Sequence, residues 1–219
     1  MKVFRELKIR GQQPQLDRLI RDISASAKSG WSRDTKQEQD LERHTSTQDM
    51  YCFTCSASPQ RKAGSLWLSA GPGELHVSNI VPRAVSSLSR DEYNAILLEF
   101  WRRFVEPLAT SSDFVVELGE DDVEIDHWLS RETANCLRSF SMLANKATGA
   151  SHPRDRERWH SFIVAAHEEN APLDPATLAR WLHEEGGWSD SAASDLAIEY
   201  ESGRDLLSSY QKTVDVGSR

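Results

Sequence analysis

The chain has 219 residues, of which 38% are hydrophobic and 27% charged, and its formal net charge is −8. This composition is too apolar for a disordered chain, and no apolar run reaches the ~20 residues that a membrane-spanning helix needs. Three cysteines are too few for a secreted domain held together by disulfides, and charges within the first ten residues argue against a signal peptide. We therefore expect a cytoplasmic protein that binds no membrane.

The first fifty residues predict one strand and one clear helix. Apolar and charged residues alternate over residues 3–9, which is the period of a half-buried strand. An apolar stripe over residues 14–28, opened by a proline and closed by Gly30, predicts a helix. Residues 32–48 carry no apolar stripe and are predicted to form a solvated helix or a mobile loop.

The next segment predicts hairpins, a long helix and a further strand. Three strands are indicated, separated by short turns: Met50–Ala57, Gly64–Ala70 and Glu74–Val81. Connections this short favour antiparallel hairpins. Ser89 and Glu92 have the spacing of a capping box, which predicts a helix over residues 89–108. Asp113–Leu118 has the composition of another strand.

From residue 119 onward the pattern is helical throughout. Each of four apolar stripes is preceded by capping residues: Ser130, Ser151-His-Pro153, Asp174-Pro175 and Ser189. We therefore predict an α+β protein with two domains. Residues 1–118 form a mainly antiparallel sheet with covering helices, in the order β-α-β-β-β-α-β, and residues 119–219 form an all-helical domain.

Charge is distributed unevenly between these two predicted domains. Residues 1–118 hold 16 Lys and Arg against 15 Asp and Glu, whereas residues 119–219 hold 10 against 19. An acidic domain repels the phosphate backbone, so nucleic-acid binding is not expected there. The excess of carboxylates suits a protein partner with a basic surface.

Two groups of potential metal ligands have simpler interpretations. Cys52-Phe-Thr-Cys55 lies within a predicted strand rather than at a helix start, and no second pair of ligands at zinc spacing accompanies it. The acidic run over residues 120–126 lacks the glycine and distal glutamate of a calcium loop. We interpret them as buried strand cysteines and a solvated linker, and we predict no metal and no cofactor.

Arg154-Asp-Arg-Glu-Arg-Trp-His160 fits the pattern Arg-x(4–6)-His and resembles the short motif of the HEPN ribonucleases, which are small all-helical domains. The resemblance implies that Arg154 and His160 act at the scissile phosphate. Six residues apart on one helix, they lie about 120° apart around its axis, so a second copy or another helix would have to complete the site. A ribonuclease is therefore one alternative function.

The order of strands and helices over residues 1–118 resembles that of the GNAT acyltransferases. In that family, backbone amides at the start of the long helix hold the pyrophosphate of coenzyme A, within a glycine-containing motif. The equivalent segment here, Val81–Arg90, contains no glycine, and side chains would crowd the phosphate. The resemblance implies a divergent acyltransferase scaffold whose cofactor site is lost.

One loop carries polar residues that helix capping does not require. Residues 140–153 join two predicted helices, and Gly149 and Ser151 suffice as caps. Asn145, Lys146 and His152 are therefore candidate binding residues, because polar loops held between rigid helices often form sites. Without a catalytic constellation in the chain, the leading hypothesis is a non-catalytic interaction or regulatory protein of the antitoxin, immunity or adaptor type. The sequence leaves the oligomeric state open.

Overall fold

The computed structural model describes residues 1–43, 49–59, 61–85, 87–109 and 114–217. The chain groups into two compact units, Lys2–Asp121, here called the sheet unit, and Asp122–Arg219 together with Met1, here called the helical unit. The predicted α+β fold class is confirmed, with a β-sheet in the sheet unit and helices in the helical unit. That residues 1–118 and 119–219 fold as separate domains stays a prediction.

The sheet unit contains six strands and four helices among its described residues. The strands are β1 (Leu7–Arg10), β2 (Trp31–Arg33), β3 (Asp49–Cys55), β4 (Gly64–Gly71), β5 (Glu74–Pro82) and β6 (Val115–Leu118). The helices are α1 (Gln13–Ser26), α2 (Thr35–Glu42), α3 (Arg90–Phe100) and α4 (Glu106–Ala109). The strands form one sheet in the order β2-β3-β4-β5-β1-β6, and every neighbouring pair is antiparallel.

The apolar stripes of α1 and α3 share one core with the sheet. Phe53 of β3 lies opposite Leu66 of β4, and both are fully buried. Phe100 of α3 packs against Phe53 with a centroid separation of 5.4 Å, and Ile23 of α1 joins the same cluster. Each such side chain contributes about 1.5–3 kcal/mol when removed from water, so this cluster fixes both helices on the sheet.

Two details of the sheet unit differ from the expectations, and the polar segment after residue 33 forms the helix that was one of its two predicted alternatives. Trp31–Arg33 forms an edge strand on β3 that sequence pattern did not predict, because three residues are too few to show a period. The following polar segment forms α2, while residues 44–48 lie outside the described residues. The helix predicted over 89–108 is interrupted by a π-helical turn, Trp101–Val105, between α3 and α4.

The helical unit contains four long helices: α5 (Arg131–Leu143), α6 (Pro153–Glu168), α7 (Pro175–Glu184) and α8 (Asp190–Gly217). Their starts follow the predicted caps at three of the four positions. Ser130 accepts a hydrogen bond from the amide of Thr133, and Asp174 accepts one from Thr177. The Ser189 hydroxyl accepts one from the amide of Ala192. The fourth helix, α6, is capped by His152 instead of Ser151.

Aromatic side chains fill the centre of the helical unit. Phe140 of α5 stacks on Trp188 at 5.3 Å and meets Trp159 of α6 at 4.7 Å. Phe162 in turn stacks on Tyr200 of α8 at 5.6 Å. Tyr200 is the last fully buried residue of α8, because its described side chains from 201 to 214 are exposed or half-buried. No helix in the described part of the chain has both the length and the apolar character to cross a bilayer.

Candidate functional site

The loop between α5 and α6 contains all three residues proposed for binding, beginning with Asn145. Its side-chain oxygen accepts a hydrogen bond from the amide of Ala147, 3.1 Å away, and so opens a short 3₁₀ turn. Its own amide donates to the carboxylate of Asp155, also at 3.1 Å. Asp155 is buried and binds Arg158 at 2.9 Å. The structure thus gives Asn145 a local structural role in holding the loop against α6.

His152 also has a capping role. Its ring nitrogen Nδ1 accepts a hydrogen bond from the amide of Arg154 at 3.2 Å, which satisfies one of the orphan amides at the start of α6. Gly149 ends the 3₁₀ turn with a φ of 60°, as its sequence position suggested. Lys146 is exposed in the same loop. Capping therefore involves Asn145 and His152, and the prediction that Gly149 and Ser151 suffice as caps is wrong.

The proposed catalytic pair lies on α6, but the structure brings a different arginine to the histidine. Arg156, one helical turn before His160, places Nη2 at 3.4 Å from Nε2 of that ring. Its guanidinium also binds Glu199 of α8 at 2.6 and 2.7 Å, and this hydrogen bonding raises the pKa of Arg156 above the usual arginine value. The Arg154 side chain is exposed and makes no contact with His160 among the described interactions.

Two adjoining open grooves cover the outer side of α5 and α6, here called the α5–α6 face. The first has a volume of about 720 Å³ and lies along α6, and the second has a volume of about 460 Å³ and lies between the two helices. They share Glu157 and Ser161. The carboxylates lining them are Glu132, Glu157 and Glu168, all exposed.

The three carboxylates of the α5–α6 face are not committed to internal contacts. None of Glu132, Glu157 and Glu168 forms an ion pair or a side-chain hydrogen bond within the described part of the chain. Carboxylates in this state accept charge-assisted hydrogen bonds from lysine and arginine side chains of another molecule. None of the three is among the residues that the sequence predicted for a site. For two of them, Glu157 and Glu168, the sequence did contain a signal. Residues 157, 161, 164 and 168 have helical spacing and therefore lie on one side of α6.

The two cysteines of the Cys52-x-x-Cys55 motif lie in β3 and are fully buried and unpaired, as predicted. Cys55 belongs to the core under α1 and α3, whereas the amide of Cys52 donates to the buried carboxylate of Glu38 at 2.8 Å. Burial raises the pKa of the Cys52 thiol to about 12. This thiol is therefore protonated at neutral pH and is a poor nucleophile.

Three carboxylates of the acidic run after β6 form ion pairs with arginines. Asp121 binds Arg5 at 2.8 Å within the sheet unit. Arg138 of α5 binds both Glu124 and Asp126 within the helical unit, and the hydrogen bond from Arg138 lowers the pKa of Asp126. Among the residues that the structure describes, no three His, Cys, Asp or Glu side chains are grouped so that they could hold a metal ion.

The start of α3 corresponds to the pyrophosphate site of the acyltransferase resemblance. Ser89 and Glu92 form the predicted capping box, with the Glu92 carboxylate accepting from the Ser89 amide at 2.9 Å. Lys62 binds Glu92 at 2.9 Å and lowers the pKa of that carboxyl. A negatively charged side chain therefore already covers this helix terminus, which is unfavourable for a pyrophosphate.

Comparison with known proteins gave one partial similarity. Residues 133–206 match a family described as a domain of unknown function, DUF1889, and this stretch is about a third of the chain. It begins in the first turn of α5, includes α6 and α7, and ends within α8 shortly after Tyr200. Neither the curated proteins nor the solved structures gave a match to the chain.

Proposed function

We propose that this protein is a non-catalytic interaction or regulatory protein, of the antitoxin, immunity or adaptor type, whose helical unit binds a protein partner with a basic surface. The observation that carries the proposal is the α5–α6 face, where Glu132, Glu157 and Glu168 line adjoining grooves without internal partners. Lysine or arginine side chains entering these grooves would form charge-assisted hydrogen bonds with carboxylates that folding leaves available.

The tryptophans do not add to this surface. Trp31, Trp159, Trp181 and Trp188 are buried, and the remaining three are half-buried. The four buried tryptophans stabilise the interior of the two units. The apolar lining of the α5–α6 face comes from Cys136, Pro153, Val164 and Ala165, none of which is a large aromatic side chain. Recognition there would consequently depend on charge and be sensitive to salt.

A charge-reversal experiment tests the proposal. The protein, immobilised in its wild-type form, is exposed to protein extract of its own host and washed at increasing salt. We expect a bound partner that elutes as the salt rises and that the variant Glu132→Lys/Glu157→Lys/Glu168→Lys fails to retain. The matched control is Asp195→Lys/Glu201→Lys/Asp205→Lys, which makes the same charge change at exposed positions of α8 outside the grooves. Equal retention by all three forms contradicts the proposal.

A second candidate, ribonuclease activity, is favoured by one specific observation. Arg156 and His160 are in contact beside an open groove, with Glu199 fixing the arginine. In such an enzyme the guanidinium would stabilise charge on a phosphate and the imidazole would move a proton. This assigns the cationic role to Arg156 instead of Arg154.

Expression of the protein alone in a bacterial host distinguishes the two candidates. A ribonuclease is expected to be toxic and to lose RNA cleavage in His160→Ala and in Arg156→Ala, while Arg154→Ala retains it. An interaction protein is expected to be harmless in all four forms. A wild-type protein that cleaves no RNA in vitro, both as a monomer and at the highest attainable concentration, excludes the ribonuclease.

A further inference from the structure

Three arginines of the sheet unit surround one open groove of about 520 Å³, here called the arginine groove. It lies beside α3 and the π-helical turn and does not include the start of α3. Its lining consists of Arg61, Ala95, Leu98, Glu99, Arg102 and Arg103. Arg61 precedes β4, whereas the other five residues lie on consecutive turns of the same long helical segment. The groove is thus built from two parts of the chain that only folding brings together.

Arg61 forms the buried part of the groove. Its side chain is only 6% exposed, and its guanidinium lies 5.3 Å from the centroid of the Trp31 ring. One terminal nitrogen donates to Glu99, but Nε is buried and has no hydrogen-bond acceptor in the described part of the chain. An unsatisfied buried donor costs about 1–3 kcal/mol, so a native protein retains one only for a reason such as strain, function or a bound water or ion.

The π-helical turn positions the other two arginines. The amide of Glu106 reaches back five residues to the carbonyl of Trp101, which widens the helix where Arg102 and Arg103 leave it. π-helical turns are rare in proteins, and those that occur are often found at functional sites. Arg103 donates to the carbonyl of Ser29 at 3.3 Å and lies 3.6 Å from Glu99. Arg102 is exposed and has no ion pair among the described residues.

The groove carries an excess of positive charge. Burial alone would raise the pKa of Glu99, but hydrogen bonds from Arg61 and Trp31 outweigh it and leave the pKa lowered, so this carboxyl is ionised at neutral pH. Three guanidiniums therefore face a single carboxylate. A phosphate monoester, with a charge of about −1.5 to −2 at pH 7, neutralises the remaining charge, which a carboxylate ligand would do only in part. Arginine is also the residue whose planar donors best match phosphate oxygens.

We propose that the arginine groove binds the phosphate group of a phosphate monoester dianion. Arg102 and Arg103 bind its oxygens, and the guanidinium of Arg61 supplies positive charge at the floor of the groove. Glu99 holds Arg61 in this orientation through its own hydrogen bond. The site belongs to the sheet unit and is independent of partner binding by the α5–α6 face.

Calorimetric titration of the full chain at constant ionic strength tests the site. The probes are inorganic phosphate, phenyl phosphate, a short phosphoserine peptide, the same peptide without phosphate, and acetate. We expect saturable binding of phosphate-bearing probes at millimolar concentration or below, and none of acetate or the unmodified peptide. Preference for phenyl phosphate or for the phosphopeptide identifies a small molecule or a modified protein as the source. Binding of phenyl phosphate and of the phosphopeptide is expected to weaken about tenfold between pH 7.5 and pH 5, because the second pKa of a phosphate monoester is about 6.

Variants assign the binding to the three arginines. Arg102→Gln/Arg103→Gln is expected to weaken phosphate binding at least tenfold, whereas Arg18→Gln/Arg21→Gln, which removes the same charge from exposed positions of α1, changes it less than twofold. Arg61→Lys keeps the charge but removes the planar guanidinium, and it is expected to weaken binding about fivefold. If Arg61→Lys fails to fold, the result for Arg102→Gln/Arg103→Gln alone tests the proposal. Absence of saturable phosphate binding, or equal loss in the α1 control, overturns the proposal.

Discussion

The two units differ in the hydrogen-bond partners of their buried polar side chains. The sheet unit encloses an ionised pair, in which the Glu38 carboxylate, with a side chain only 7% exposed, accepts two short hydrogen bonds from Arg33 and one from the amide of Cys52. The helical unit also buries a carboxylate, that of Asp155, which receives only one bond from Arg158 and one from the amide of Asn145, and at its aromatic centre it joins neutral groups. Trp188 donates to the hydroxyl of Ser141 at 3.0 Å, and Tyr200 donates to the carbonyl of Leu173 at 3.1 Å.

This difference changes what each unit should tolerate. A buried ion pair is stable only while both charges are paired. Removing one partner leaves an unpaired buried charge, which strongly lowers the free energy of unfolding. An aromatic interior is stabilised by the contact area of its rings. Loss of a polar atom therefore lowers its stability less than loss of side-chain volume. We therefore expect neutralisation of a charge to damage the sheet unit most, and truncation of a ring to damage the helical unit most.

The largest expected effect is the loss of a central ring in the helical unit. Trp159 is fully buried between Phe140 and Phe162, so Trp159→Ala leaves a cavity and is expected to lower the free energy of unfolding by about 3–5 kcal/mol. Native-state hydrogen exchange, read at amides of α5 and α6 and at amides of β3 and β4, measures the loss in each unit separately.

The control for this prediction is Trp159→Phe. The indole Nε1 of Trp159 is buried without a hydrogen-bond partner in the described residues, so its removal offsets part of the lost contact area. We expect Trp159→Phe to cost no more than about 1 kcal/mol. A phenylalanine variant as unstable as the alanine variant would show that the polar atom, and not the volume, matters at this position.

Neutralisation of Glu38 is the next largest effect. Glu38→Gln replaces an acceptor facing Arg33 by an amide and is expected to destabilise the sheet unit by about 2–3 kcal/mol. The comparable change in the helical unit, Asp155→Asn, affects a carboxylate that receives one bond from Arg158 and one from the amide of Asn145, and about 1 kcal/mol is expected. Urea denaturation followed at amides of α2 and α6 compares the two.

The double variant Arg33→Met/Glu38→Leu separates the charge from the packing. Replacing both partners by apolar residues of similar volume removes the unpaired charge but leaves the buried amide of Cys52 without its acceptor, so a net loss of about 1–2 kcal/mol relative to the wild type is expected. A double variant less stable than Glu38→Gln would mean that the ion pair itself, and not the charge left behind, provides the stabilisation.

The smallest effect concerns helix caps with and without a charge. Asp174→Ala in the helical unit and Ser89→Ala in the sheet unit each remove a cap and are expected to cost about 1 kcal/mol at pH 7. Burial would raise the pKa of Asp174, but hydrogen bonds from Thr177 leave it below 3.8. Its stabilisation is therefore present above about pH 4 and is lost as the pH falls through the lowered pKa.

Thermal unfolding from pH 7 to pH 2 measures this contrast. The difference between Asp174→Ala and the wild type is expected to shrink as the pH falls through the lowered pKa of Asp174, since a protonated carboxyl is a weaker acceptor. The serine hydroxyl does not titrate between pH 7 and pH 2, so the stability difference between Ser89→Ala and the wild type has no such pH dependence from Ser89. A constant difference for Asp174→Ala across the whole range contradicts the assigned charge-dependent cap.

Local pattern predicted most of the secondary structure because the interactions that define it are short in sequence. The capping box at Ser89 and the strand over Gly64–Ala70 follow from residues within a few positions of one another. The position of β1 between β5 and β6 does not, because it depends on which distant strands bury its apolar face. The edge strand at Trp31–Arg33 likewise exists only through its pairing with β3.

The candidate sites show the same division. The sequence by itself determined the acidic composition of the helices, the helical spacing of residues 157, 161, 164 and 168, and the position of the loop with Asn145 and His152. Only the tertiary structure decided that Arg156 meets Glu199, 43 positions away, and that Arg61 meets Glu99 across 38. Pairs so distant in sequence leave no periodic signal, because their encounter is the outcome of packing two separate elements whose apolar faces are buried first.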